Sequence, residues 1–269
     1  MIPKFNLHTH TNFCDGKSSV EEMVQSAIAL GCEGIGFSGH STINTSLDWT
    51  MSESGEKQYI EEVNAAKEKY ADAIDILLGI EYDVLSDIDT TPYDYVIGSV
   101  HHSTVGNIPI DLAAADLKAS VDKYFGGDFY ALAEDYYNEL SGVVKKTNCD
   151  IIAHFDLITK FNEGGDLFDQ RDKRYRDVAF SCLETLAKND VVFEINTGAI
   201  SRGYRRTPYP SREILKRMTE LGCRLTVTTD CHKAEDLLCG YFDAVDIARD
   251  CGARELWFPK GKDFVAFKI

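Results

Sequence analysis

The 269-residue sequence predicts an α/β barrel built on parallel strands. Three observations predict it. Short apolar runs alternate with longer amphipathic stretches along the whole chain, the alternation repeats seven or eight times, and histidines recur just behind the apolar runs. The strand candidates are IPKFNLH (2–8), EGIGFSG (33–39), IDILLGI (74–80), YVIGSV (95–100), DIIAH (150–154), VVFEIN (191–196), RLTVTT (224–229) and ELWF (255–258). Helices are predicted near 18–30, 55–70, 129–147, 172–189, 210–221 and 240–251. Ser18-Ser19 ahead of Glu21 and Glu22 reads as a helix start and Gly31 as its stop. Pro210-Ser211 ahead of REILKRMTELG reads as another capped start, closed by Gly222.

No repeat, low-complexity tract or Pro/Ser-rich linker interrupts this alternation, so a single domain over 1–269 is expected. The formal net charge of −16 argues against a nucleic-acid partner, because phosphate backbones need a basic surface. A small anionic substrate is compatible with that charge, since bound metal ions can reverse it locally. No apolar run approaches the roughly 20 residues of a membrane span. The start, MIPKFNLHTH, has neither a basic segment nor a long apolar core, so a cytoplasmic location is expected. Nothing in the sequence sets an oligomeric state. The eight cysteines are scattered without a C-x-x-C pair, which speaks against both a disulfide framework and a thiolate zinc site; they read as reduced, mostly buried residues.

In parallel barrels the reactive groups stand at the C-terminal ends of the strands. His8 and His10 end the first predicted strand, His40 follows the second, Glu81 the third, His101 and His102 the fourth. His154 ends the fifth, and Asp230 and His232 follow the seventh. In an extended segment residues i and i+2 point the same way, so His8 with His10, and Asp230 with His232, can each face one ion. Cys231 then points away and is expected to pack. With Asp15, the potential ligands are His8, His10, Asp15, His40, Glu81, His101, His154, Asp230 and His232. Nine are too many for one ion with an open position, which needs about three protein ligands. Two or three divalent ions are implied, and nitrogen and oxygen donors without thiolate suit zinc, manganese or iron. Three such ions carry about +6 against about −3 from the three carboxylates, a local trap for a phosphate dianion.

The segments HTHTNFCDG, FSGHS, GIEYD, GSVHHS, AHFD, EINT and TTDCH resemble the PHP superfamily. SVHH, AHFDLITKF, and EINTG followed by an arginine and YPSREIL are similar to its histidinol-phosphate phosphatases, and the likeness spans about residues 6–235. The resemblance implies a distorted (β/α)7 TIM-like barrel with a three-metal site, which would leave ELWF outside the barrel. It implies the same nine ligands, most often around zinc, with Glu81 bridging. Position 15 is often histidine in relatives, so Asp15 would alter the preference at its ion. It also implies a metal-dependent phosphomonoesterase that cleaves L-histidinol phosphate by attack of metal-activated hydroxide, with Asp230, Glu81 and Arg202 in the catalytic machinery. Arg202 would reach phosphate from the loop beyond strand six, with Arg205 and Lys160 as further substrate contacts. His102 departs from the apolar residue usual after S-V-H and is a candidate for touching substrate. Glu194, which completes no ligand set, would support a ligand or contact substrate. Asp83, Asp87, Glu163, Phe161, Tyr204 and Tyr209 offer an acidic and aromatic rim for the ammonium and imidazole.

Competing readings are weaker. Asp87-Ile88-Asp89-Thr90-Thr91 matches the D-x-D-x-T nucleophile motif of another phosphatase class, but Ser86 breaks the apolar strand that motif requires, and a solvated turn accounts for it. No cysteine has an arginine six positions later, as cysteine phosphatases need. A related hydrolase of nucleotides or phosphotyrosine, an exonuclease module, and a non-catalytic metal-binding module are the alternatives; the acidic charge and the complete ligand set weigh against the last two.

Overall fold

The computed structural model describes residues 2–43, 48–261 and 263–269. Seven parallel strands follow one another in chain order around a nearly closed barrel. They are β1 (Phe5–Asn6), β2 (Gly34–Phe37), β3 (Asp75–Asp83), β4 (Tyr95–Ser99), β5 (Ile151–Ile152), β6 (Val192–Asn196) and β7 (Arg224–Thr228). The seam between β1 and β7 is closed beyond the strands: Thr9 pairs with Cys231 in a parallel bridge, and His10 N–H donates to the Cys231 carbonyl at 2.9 Å. Cys231 is fully buried, as strand alternation predicts. The fold is the distorted (β/α)7 barrel that the resemblance implies.

The helices between the strands are α1 (Val20–Ala29), α2 (Glu53–Lys69), α3 (Ala114–Phe125), α4 (Phe129–Leu140), α5 (Val143–Thr147), α6 (Lys173–Leu186), α7 (Gly198–Ser201), α8 (Arg212–Glu220) and α9 (Tyr241–Asp250). None is long and apolar enough to cross a membrane. Helix α1 shows why the sequence is legible here. Ser19 and Glu22 form a reciprocal capping box, and Val20, Met23, Val24 and Ala27 recur on the face that is buried against the sheet side. The expected helix over 129–147 breaks at Ser141-Gly142 into α4 and α5. Helix α3 lies where no helix is expected; Leu117 and Val121 form its only buried stripe, and Gly126 ends it in a left-handed turn. Ser211 stands at the start of α8 without a side-chain cap bond; its N–H donates instead to Asp156 at 2.8 Å.

ELWF lies outside the barrel, in an antiparallel pair of β8 (Glu255–Lys260) with β9 (Asp263–Lys268) that packs on β7. Leu256 and Phe258 supply its buried face. The segment 87–91 is an exposed turn in which Thr91 donates from its N–H to Asp89 at 3.0 Å and from its hydroxyl at 2.8 Å. Neither aspartate of the segment lines the cavity at the barrel mouth, which speaks against the rival nucleophile reading.

Candidate metal centre

The strand order alone brings the expected ligands to one mouth. Glu81, near the end of β3, stands at the middle of them. Its Oε2 lies 2.8 Å from His40 Nδ1, 3.3 Å from His8 Nε2 and 3.6 Å from His10 Nε2. Its Oε1 lies 3.0 Å from His154 Nε2 and 3.3 Å from His101 Nε2. Asp230 Oδ1 approaches His10 Nε2 at 3.2 Å and His8 Nε2 at 3.8 Å. Asp15 faces His232 Nε2 at 3.1 Å through one oxygen, and His10 and His40 at 3.6 and 3.7 Å through the other. Three overlapping sets could each hold an ion: His10, Asp15, His40 and His232; His8, His10 and Asp230; His40, Glu81 and His101.

The donor chemistry fits cations. His8 Nε2, His10 Nε2, Asp15 Oδ1, His40 Nδ1 and Glu81 Oε2 are buried and lack hydrogen-bond partners among the described residues. Such atoms are costly to bury, and five in one place call for a ligand that accepts lone pairs. Tautomers sharpen the point. His8 Nδ1 lies 2.9 Å from Glu194 Oε2 and His101 Nδ1 lies 2.9 Å from Asp83 Oδ2, so each Nδ1–H donates to a carboxylate. Burial is outweighed at both rings by the carboxylates around them, which raise both imidazoles well above their usual value. As neutral ligands, each would turn its Nε2 lone pair toward a Glu81 oxygen at 3.3 Å, an arrangement that a divalent cation would suit. At His10 burial, reinforced by His232 and His40, instead pushes the imidazole down to about 3, which keeps it neutral and free to ligate.

Glu194 on β6 is a supporting group. Besides His8 it accepts from the His154 backbone N–H, from Asn196 Nδ2 at 2.7 Å and from Thr228 Oγ1 at 2.8 Å. It is fully occupied, and it is absent from the cavity lining. Glu194→Gln is expected to weaken zinc affinity about 10–100-fold, because an amide facing His8 Nδ1 no longer enforces the ligating tautomer. Competition against a chromophoric chelator measures this; wild-type affinity would show that Glu194 does not orient His8.

Asp230 adopts a left-handed backbone with φ of 45°, just past β7. Arg202, which ends α7, grips it: one guanidinium nitrogen lies 3.1 Å from Asp230 Oδ2 and the other 3.0 Å from its carbonyl and 2.8 Å from His232 Nδ1. Gly198, the glycine of EINTG, makes room for this pair. A Cβ there would stand 2.7 Å from Asp230 Oδ2 and 2.9 Å from the Arg202 guanidinium. Burial opposes ionisation of Asp230, but Arg202 and His8 outweigh it and hold its carboxyl well below the usual range.

A cavity of about 220 Å³ opens above the cluster. Asp15, His40, Glu81, His101, His154, Asp230 and His232 line it, with His8 and His10 fully buried. The lining also includes Arg202, Lys160, Tyr204, Trp49 and Asp111. Two of the expected substrate contacts stand elsewhere. Arg205 is buried, with its guanidinium donating to the Thr159 and Thr207 carbonyls and stacked over Tyr209 at 4.6 Å. His102 is buried against Trp49, with ring centroids 5.9 Å apart, and is absent from the lining. Of the expected rim only Tyr204 lines the cavity. Asp83 backs His101, Glu163 accepts from the Arg206 and Thr207 N–H groups at 2.9 and 2.8 Å, and Tyr209 is fully buried. Trp49 and Asp111 are additions that no motif marks. Burial raises the Asp111 carboxyl, and Lys160 and His101 outweigh it, so it is held below the usual range.

The PHP domain family model matches residues 6–198. The chain is 28% identical over 279 residues to the Schizosaccharomyces pombe protein named "Probable histidinol-phosphatase", covering 95% of this chain and 90% of that one. It is 26% identical over 275 residues to the Lactococcus lactis protein named "Histidinol-phosphatase", covering 95% and 94%. The fold matches the crystal structure of a Lactococcus lactis histidinol phosphate phosphatase complexed with zinc, L-histidinol and phosphate, with a TM-score of 0.71 and 23% identity, over 98% of this chain and 100% of that one.

Proposed function

This chain belongs to the PHP domain family, and from that premise we propose that it is a metal-dependent phosphomonoesterase hydrolysing L-histidinol phosphate to L-histidinol and phosphate, a step of histidine biosynthesis. The observation that carries the reaction class is the convergence of five unpartnered buried donor atoms at the floor of an open cavity. The relatives named for histidinol phosphate support the substrate. Free thiols on all eight cysteines suit a cytoplasmic setting.

The proposed ligands are His8, His10, Asp15, His40, Glu81, His101, His154, Asp230 and His232. Three overlapping donor sets that share His10 and His40 support three ions, zinc first and manganese or iron as alternatives. When bound, such ions supply positive charge to phosphoryl oxygens and lower the pKa of water from roughly 15.7 to about 7. Glu81 offers one oxygen to each half of the histidine array and so ties the halves together. Arg202 keeps Asp230 ionised and oriented, and its side chain lines the cavity that a phosphate would enter. Cys14, beside His10, is pushed up to about 12, chiefly by burial, which disfavours the thiolate a cysteine nucleophile would need.

Steady-state kcat/KM for L-histidinol phosphate should exceed that for phosphotyrosine, phosphoserine, nucleoside monophosphates and a generic aryl phosphate by well over tenfold. A preference below about tenfold, only about 1.4 kcal/mol of discrimination, would remove the histidinol assignment and leave the metal phosphatase.

A further inference from the structure

The cavity wall carries a carboxylate that hydrolysis of a phosphate ester does not need. Asp111 lies on the loop between β4 and α3, lines the cavity, and keeps 23% of its side chain exposed. An anion on this wall repels an entering phosphate dianion, so Asp111 weakens binding unless something positive meets it. Among the described residues its ion-pair partner is Lys160, and the pairing is lopsided. Lys160 Nζ lies 2.6 Å from the Asp111 backbone carbonyl but 3.4 Å from its carboxylate. Lys160 therefore pins the loop and leaves the carboxylate short of a close partner. The lysine is itself buried, with its ammonium over the Tyr204 ring at 4.9 Å. Arg202, the other cation on this wall, is engaged with Asp230. The cavity lining also carries Leu112, Leu157, Tyr204 and Trp49, apolar and aromatic surfaces, and the Tyr204 ring lies under the Lys160 ammonium that meets Asp111. That is the chemistry of a site for an organic cation.

We infer that Asp111 is a specificity-determining residue that receives the cationic end of the substrate, and that Lys160 is a positioning residue that holds Asp111 in place. The inference rests on the functional reading above and names which group reads the ammonium or imidazolium. It also gives the site a means of rejection: an ester with an anionic leaving group meets Asp111 as a like charge, and one with a neutral leaving group leaves it unmatched.

The test compares kcat/KM for L-histidinol phosphate with that for p-nitrophenyl phosphate in zinc-loaded wild type, Asp111→Asn and Lys160→Met. In Asp111→Asn the ratio should fall by about tenfold or more, chiefly through KM for histidinol phosphate, as expected for loss of a charge-assisted contact. Calorimetry with L-histidinol, which lacks phosphate, should show a dissociation constant raised by about the same factor. In Lys160→Met the ratio should fall in the same direction by a smaller factor. An unchanged ratio and unchanged histidinol binding in Asp111→Asn overturn the inference. A Lys160→Met variant whose KM rises equally for both esters overturns the positioning role and makes the lysine a phosphate ligand. If wild type shows no preference for histidinol phosphate, the functional reading fails and takes the inference with it. If wild type prefers it and Asp111→Asn keeps that preference, the inference alone fails.

Discussion

Asp230→Ala is expected to strip divalent metal from the protein and to lower kcat/KM by about a thousandfold or more, the scale of several kcal/mol of lost charge stabilisation. The carboxylate stands 3.2 Å from His10 Nε2 and accepts from Arg202 at 3.1 Å, so its removal unmakes one donor set and frees a guanidinium that touches His232 of another. His8→Ala should act alike, because His8 is fully buried between Glu81 and Glu194 and no neighbour can replace its Nε2. Elemental analysis should find two to three ions per wild-type chain and fewer in each variant, and a chelator should abolish wild-type activity. A fully active, metal-replete sample with one ion per chain would sink the three-ion proposal. A variant that keeps both metal and turnover would sink the ligand assignment.

The nine proposed ligands are legible in sequence because barrel topology carries strand ends to one mouth whatever lies between them. His8 and His10 need only the two-residue repeat of an extended segment, and His154 needs only its place after β5. The same repeat, applied to β3, identifies Asp83: it stands two residues beyond Glu81, shares its face, and binds His101, so the sequence contains the signal that moves it from the rim to the support of a ligand. Arg202 and Arg205 are harder to separate. They are three residues apart in one basic loop, and only the turn of α7 and the buried stacking of Arg205 on Tyr209 send one guanidinium to the cavity and the other into the packing. Trp49 and Asp111 come from long connections without periodicity, where position depends on tertiary packing that no local pattern encodes. Helix α3 hides for a related reason: it buries only two side chains, so its apolar stripe is faint.

Arg202→Ala is expected to lower kcat/KM by roughly 1.5–3 kcal/mol, about 10–150-fold, the scale of a charge-assisted hydrogen bond to phosphate. The structure gives this arginine two tasks that the experiment can separate. It holds Asp230 and touches His232, so part of the loss should come from weaker metal binding. It also lines the cavity, so part should come from the phosphate itself. Assays at saturating zinc isolate the second part: the deficit should persist there, with metal content restored. Arg202→Lys should recover little of it, because a single ammonium cannot hold Asp230 and a phosphoryl oxygen in the planar geometry of a guanidinium. Full recovery of Arg202→Ala by zinc alone would confine Arg202 to orienting Asp230. A silent substitution would pass the phosphate contact to Lys160, and Lys160→Met would then raise KM alike for every phosphate ester.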